Sequence, residues 1–218
     1  MNHIRDVKDI SMTISSKTVI LADGSFPENE IPFGYLRNAE RIVCCDGGAD
    51  QLIRAGFVPE AIVGDLDSIS PEIAEKYSAR LFPDRDQETN DLTKAVRWCT
   101  ARGYRDLVIL AATGKREDHT IGNISLLVEY AAEAEVMMVT DSGVFRPYLK
   151  SCVFSAFPGQ QISVFSINPQ TEITSRGLVY PLEARKVKNW WEATLNEATG
   201  ENVELEFEDG AIIVFSCF

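Results

Sequence analysis

Acidic side chains crowd one stretch of this chain in positions where they could gather a cation. Asp65-Leu66-Asp67 follows the apolar run Ala61-Ile62-Val63 and Gly64. In an extended chain, residues two apart point to one side, roughly 6–7 Å apart. A hard divalent cation such as Mg²⁺ takes oxygen ligands and can sit between two such carboxylates. An isolated Asp-X-Asp is equally well explained by turn residues that bond their own backbone. Between Glu60 and Asp91, however, nine carboxylates stand against three cations, Lys76, Arg80 and Arg85. Like charges held that close repel unless something cationic joins them.

Three further junctions repeat the arrangement. Asp46-Gly47-Gly48 directly follows the apolar Arg41-Ile42-Val43-Cys44-Cys45, and glycine there lets backbone approach a phosphate at a helix start. Asp91 falls in the first turn of a helix-like stretch, where the helix dipole also favours a carboxylate. Thr113-Gly114-Lys115-Arg116-Glu117-Asp118 follows the apolar run DLVILAA and opens another helix. Each alone reads as ordinary capping or turn chemistry; four together point to one site. Gly114-Lys115 is not a P-loop, because Ile109 takes the place of the leading glycine and Arg116 that of the Ser or Thr. No G-x-G-x-x-G follows a strand and no G-x-S-x-G elbow occurs. What remains is a carboxylate-rich pocket with Gly loops and a Lys-Arg pair, which suits Mg²⁺-assisted transfer of a nucleotide polyphosphate group.

The elements that must carry these residues alternate. Residues 17–22, 41–45, 61–63, 106–112 and 135–140 read as strands, and residues 48–55, 71–79, 89–102 and 117–132 as helices. That alternation predicts an α/β unit with a mostly parallel sheet flanked by helices. DLVILAA is continuously apolar, as in a sheet covered on both faces. Beyond Arg146-Pro147 come short β-like runs broken by Pro158-Gly159, Asn168-Pro169 and Asp209-Gly210. Residues 203–207 and 211–215 read as a hairpin. The expected organisation is therefore an α/β catalytic unit over 17–145 and a smaller antiparallel β-sandwich over 146–218.

Composition bounds the rest. The 218 residues are 45% hydrophobic and 25% charged, enough for a packed core. A net charge of −12 disfavours nucleic acid and anionic membrane as partners. Five cysteines, an odd number without CxxC spacing, fit reduced thiols in the cytoplasm. Residues 1–16 lack the apolar core of a signal peptide, and no run approaches a membrane span.

Taken in order, Asp46-Gly47-Gly48-Ala49-Asp50, Gly64-Asp65-Leu66-Asp67-Ser68, Asp86-Gln87 with Asn90-Asp91-Leu92-Thr93-Lys94-Ala95, and Gly114-Lys115-Arg116-Glu117-Asp118-His119 resemble the thiamine pyrophosphokinase family. Gly177-Leu178-Val179-Tyr180-Pro181-Leu182 and Asn196-Glu197 fit as well. The resemblance covers nearly the whole chain after about residue 17. It implies transfer of the pyrophosphoryl group of ATP to the hydroxyl of thiamine, and a homodimer whose active sites lie between one subunit's α/β unit and the other's β unit. By position, Asp65, Asp67 and Asp91 would handle metal and phosphate, and Asp46 and Asp118 would complete the acidic group. Gly47, Gly48, Gly114, Lys115 and Arg116 would face the polyphosphate. Gln87 would contact thiamine, as would Tyr180 and Asn196 of the second subunit. The residue that takes the hydroxyl proton is Asp91 or Asp118. Lys115, Asn90, Leu195 and Tyr180 stand where the family more often has Gly, Thr, Ser and Trp. The alternatives are a Mg²⁺-dependent nucleotide hydrolase built on the same carboxylates, and a thiamine or nucleotide binder without turnover. The acidic balance agrees with the transferase reading, because thiamine carries a fixed positive charge that carboxylates around the cleft would attract.

Overall fold

The structure, a computed structural model, describes residues 18–218; the reading of residues 1–16 lies outside them. The elements run β1 (Thr18–Leu21), α1 (Glu30–Arg37), β2 (Arg41–Cys45), α2 (Ala49–Arg54), β3 (Ala61–Gly64), α3 (Pro71–Lys76), β4 (Leu81–Pro83), α4 (Asp91–Ala101), β5 (Asp106–Leu110), α5 (Glu117–Ser125), α6 (Leu127–Tyr130) and β6 (Glu135–Val139). There follow β7 (Gly143–Tyr148), β8 (Cys152–Ser155), β9 (Gln161–Ser166), β10 (Glu172–Arg176), β11 (Arg185–Lys186), β12 (Asn196–Glu197), β13 (Asn202–Glu206) and β14 (Ile212–Cys217).

Two sheets result. One has ten strands in the order β12-β9-β14-β7-β6-β5-β1-β2-β3-β4; the other has four, β11-β10-β13-β8. The β6-to-β4 half of the large sheet is parallel, and β7 joins it antiparallel through Met138↔Phe145. Alternate residues of the parallel strands feed two different cores. Ile20, Val43, Ile109 and Met138 pack under α4 and α6, while Val19, Leu21, Val108 and Val139 pack against α1, α2 and α3. With both faces covered, strands can be continuously apolar. A third core lies between the sheets, where Ile162, Val164, Ile212 and Val214 meet Ile173, Val203 and Leu205. The antiparallel part is therefore a sandwich. Its link to the α/β part is a strand, since β7 runs through residues 145 and 146.

The structure corrects one strand pairing. Residues 203–207 and 211–215 do not form a hairpin: β13 pairs with β10 and β8, and β14 with β7 and β9, in opposite sheets. The Asp209-Gly210 turn is anchored by Thr171, whose hydroxyl donates to the Asp209 carbonyl at 2.8 Å. The chain then crosses the roughly 10 Å between packed sheets. Local turn chemistry allows either course; burial of the inner faces of both strands decides for the crossing. Helix 117–132 also divides, into α5 and α6 with a joint at Leu126. Among the described residues no helix is long and apolar enough to cross a membrane.

Candidate active site at the strand ends

The C-terminal ends of β1, β2, β3 and β5 and the start of α4 meet at one edge of the parallel sheet. In open α/β sheets this is where ligands bind. Asp46 leaves β2 in a short 3₁₀ turn and is 2% exposed. Its carboxylate accepts the amides of Gly47 and Ser68. Asp65 and Asp67 leave β3. One carboxylate oxygen each from Asp46, Asp65 and Asp67 lies within 4.8 Å of the others.

The Asp65–Asp67 pair converges for a different reason from the extended spacing. Leu66 between them is left-handed, φ 66°, and the Asp67 amide turns back to Asp65 Oδ1 at 3.4 Å. The pair is thus a turn, and the turn is what aims both carboxylates at Asp46. Gly64 makes room for this approach, since a Cβ there would sit 3.0 Å from Asp46 Cγ. A Cβ at Gly47 would lie 2.6 Å from Asp23 Cγ, so a larger residue there would have to displace the Asp23 side chain.

Asp91 begins α4, capped by Asn90, whose side chain accepts the Thr93 amide at 2.9 Å. It lies outside the three-carboxylate group but close enough to act on Asp46 electrostatically. Lys94, 3% exposed, donates its ammonium to Asp91 Oδ1 at 3.0 Å. Burial pulls the Lys94 proton affinity down, yet Asp91, Asp65 and Asp84 outweigh it and the net shift is upward. The Asp67 amide holds Asp65 below the usual carboxylate range against partial desolvation, helped by a Gln87 hydrogen bond and by Lys94. Gln87 is thereby placed in the acidic site.

Burial, then the charge of Asp91, pushes Asp46 up. A carboxyl with a raised folded pKa destabilises the fold while ionised, and the penalty fades as pH falls through that pKa. Asp46→Asn is therefore expected to raise the melting temperature at pH 7 without divalent cations by a few degrees, on the order of 1 kcal/mol. The gain should shrink toward pH 4. A melting series showing Asp46→Asn less stable at pH 7 would refute this origin of the shift.

The cation pair occupies the neighbouring loop. Lys115 Nζ donates to Asp23 Oδ1 at 2.7 Å, and Arg116 holds Asp118 through Nε at 3.1 Å and through Nη2. This exposed pairing keeps the Asp118 carboxyl at about 2. Asp118 is therefore committed to Arg116 and is not one of the three clustered carboxylates. Asp23 and Lys94 escaped the sequence reading as site residues. Asp23 carries the same signal as the others, a strand-end Asp-Gly after TVILA, whereas Lys94 looks like one charged helix residue among many.

Tyr180 and Asn196 lie elsewhere. Asn196 sits on β12, its amide bridging the Tyr180 backbone N and O at 3.0 and 2.7 Å, while the Tyr180 side chain is 68% exposed. They line a cavity of about 240 Å³ with Arg185 and Glu192. Eight strand steps separate β12 from β3, roughly 38 Å at the usual interstrand spacing. One chain does not bring these residues to the aspartates.

Known proteins share this organisation. Residues 34–140 match the family model described as thiamin pyrophosphokinase, catalytic domain, and residues 143–215 that of its substrate-binding domain. Thiamine pyrophosphokinase 1 of Oryza sativa subsp. japonica is 33% identical over 128 residues, 47% of this chain and 48% of its own. Thiamine pyrophosphokinase of Bacillus subtilis (strain 168) is 32% identical over 117 residues, 51% and 54% of the two chains. The chain thus spans about half the length of these curated relatives. Among solved structures, a thiamin pyrophosphokinase family protein from Enterococcus faecalis superposes with a TM-score of 0.78 at 22% identity, covering 93% of this chain and 99% of that one. Thiamin pyrophosphokinase from Candida albicans gives 0.77 at 19%, covering 94% and 90%. With both family models in register across the α/β and sandwich parts, and with the strand-end aspartates and the Lys-Arg loop inside the first, this chain belongs to the thiamin pyrophosphokinase family.

Proposed function

We propose that this chain transfers the pyrophosphoryl group of ATP to the hydroxyl of thiamine, giving thiamine diphosphate and AMP. The observation that carries the reading is the three-carboxylate group at the strand ends beside a Lys-Arg loop. All its donors are oxygens, which suits Mg²⁺. One oxygen from each carboxylate lies within 4.8 Å of the others, near enough for the three to converge on one small hard cation. Asp65, Asp67 and Asp46 would hold it, with Asp91 alongside, and it would neutralise phosphate oxygens.

The chain's own groups supply the rest. Gly47, Gly48, Gly114, Lys115 and Arg116 frame the polyphosphate. The thiamine hydroxyl oxygen attacks the β-phosphorus; the bond to the α,β-bridging oxygen breaks, and AMP leaves with that electron pair. The hydroxyl proton goes to Asp91 or Asp118, each held by a cation, Lys94 and Arg116 respectively. Gln87 orients thiamine from the acidic side, while Tyr180 and Asn196 of a second copy close it from the other. The wide separation of β12 from β3 supports a homodimer with shared sites. Five free cysteines support a cytoplasmic setting.

The test is to incubate protein with ATP, Mg²⁺ and thiamine and follow AMP and thiamine diphosphate by chromatography. Both should appear together. AMP or ADP made at the same rate without thiamine would replace this reading with nucleotide hydrolysis. For the shared site, Tyr180→Arg, which sets a cation against cationic thiamine, and Asp67→Ala should each be inactive alone. Random exchange of the two makes half the dimers mixed, each with one intact site, so about a quarter of the activity should return. No recovery after verified subunit exchange would place both lesions in one site.

A further inference from the structure

The cavity of about 240 Å³ at β12 holds a carboxylate far from the three clustered aspartates. Its inner wall is apolar, since Leu182 and Ala193 are both buried. Its rim is apolar but open, with the large side chains of Tyr180 and Leu195 exposed. Leu195 keeps a left-handed backbone, φ 56°, which a bulky residue adopts only where its surroundings impose it. Its amide donates to Ser163 Oγ at 3.2 Å, which ties the rim to β9. In this frame stands Glu192, its side chain 15% exposed. Its own turn holds it: Asn189 Nδ2 donates to Oε1 at 2.8 Å and the Lys188 amide to Oε2 at 3.3 Å. The Asn189 hydrogen bond outweighs partial desolvation and keeps the carboxyl below its ordinary range. Among the described residues, Arg185 is the one cation within ion-pair reach, at the limit of 4.0 Å and itself 53% exposed.

An enclosed charge is costly unless something pairs with it. The turn gives Glu192 hydrogen bonds without a close full positive charge. What it lacks is a cation that needs no further lone pair. The thiazolium ring of thiamine is such a cation. Its nitrogen is quaternary, carries no N–H to donate, and stays charged at every pH. It asks for apolar walls, an aromatic face and a fixed anion in ion-pair range, and Leu182, Tyr180 and Glu192 supply these in one cavity. We propose that Glu192 is a specificity-determining residue that reads the fixed positive charge of thiamine, its carboxylate facing the thiazolium while Tyr180 offers its ring. The inference rests on the reading that places thiamine against Tyr180 and Asn196, and adds the residue that selects for charge.

The probes are thiamine and its neutral thiophene analogue, in which carbon replaces the quaternary nitrogen; the readout is the ratio of their kcat/KM values. Glu192→Gln keeps the shape and removes the charge. The preference for thiamine should fall about tenfold or more, the scale of one partly screened ion pair. The loss should lie in the KM for thiamine, with the KM for ATP within about twofold of the parent. Arg185→Ala withdraws the competing guanidinium, and the same preference should rise about threefold; it decides the question if the first variant does not fold. A folded Glu192→Gln protein that loses both compounds equally, or neither, overturns the assignment, as does an unchanged preference in Arg185→Ala where it alone folds. If the parent makes no thiamine diphosphate, the transferase reading fails by itself, and the same preference, titrated calorimetrically as binding, still decides the role of Glu192. A parent that binds neither compound overturns both.

Discussion

Alanine at Asp65 or Asp67 is expected to lower the rate of thiamine diphosphate formation by at least about 10³-fold, or ~4 kcal/mol of transition-state stabilisation. Each carboxylate contributes one oxygen to a group that otherwise consists of mutually repelling charges. Removing either leaves two oxygens to gather a divalent cation against a triphosphate. The fold should not suffer: both residues lie in a partly exposed turn, and losing the Asp65 charge relieves repulsion on buried Asp46. Thermal melts without metal are therefore expected to match or slightly exceed the parent, while the melting shift produced by Mg²⁺ disappears. Near-parental turnover in either variant would remove the metal-binding role from this turn, whatever the rest of the site does.

Lys94→Met should combine two effects that Asp65→Ala separates. The ammonium is almost fully enclosed and holds Asp91 at 3.0 Å, whereas Asp91 itself is 36% exposed. Breaking such a pair from the buried side leaves carboxylates without their internal cation, and a loss of about 3 kcal/mol in unfolding free energy is expected, the low end for buried pairs because water reaches Asp91. The sign with pH follows from the direction of the shift. The folded lysine holds its proton more tightly than the unfolded one, so its contribution is complete below the ordinary value of 10.5 and is lost only as pH climbs through the folded pKa. The stability gap between parent and variant should thus be flat from pH 6 to about 10 and close only as pH rises beyond 10.5. Turnover should fall by about 10², since a displaced Asp91 misplaces the groups around the reacting atoms. Denaturant midpoints showing no change at neutral pH would mean that Lys94 is not the cation that compensates this cluster.

The chemistry of the site was visible because strand-end aspartates are unusual as a set. Carboxylates after RIVCC, AIVG and at the start of α4 are placed by apolar runs that have nowhere to go but a covered sheet. Helix α4 was legible from its stripe of Leu92, Ala95, Val96 and Cys99, all buried in the structure. Helix α1 was not: Pro32 and Gly34 break its local pattern, and it forms because Asn29 caps it and Tyr35 and Leu36 find an apolar sheet face. The hairpin failed for the converse reason, since its turn chemistry was right but each strand had a better buried neighbour elsewhere.

Sequence alone determined which residue types end which strands, because apolar period and turn residues are local properties of the chain. Tertiary structure decided which of those ends meet. It bent Asp65-Leu66-Asp67 into a turn, drew in Asp23, enclosed Lys94 among carboxylates, gave Asp118 to Arg116, and set Tyr180 and Asn196 at the opposite edge of the sheet. The reason is that strand order and burial depend on contacts between residues far apart in the chain, whose balance of desolvation and charge no short stretch of sequence contains.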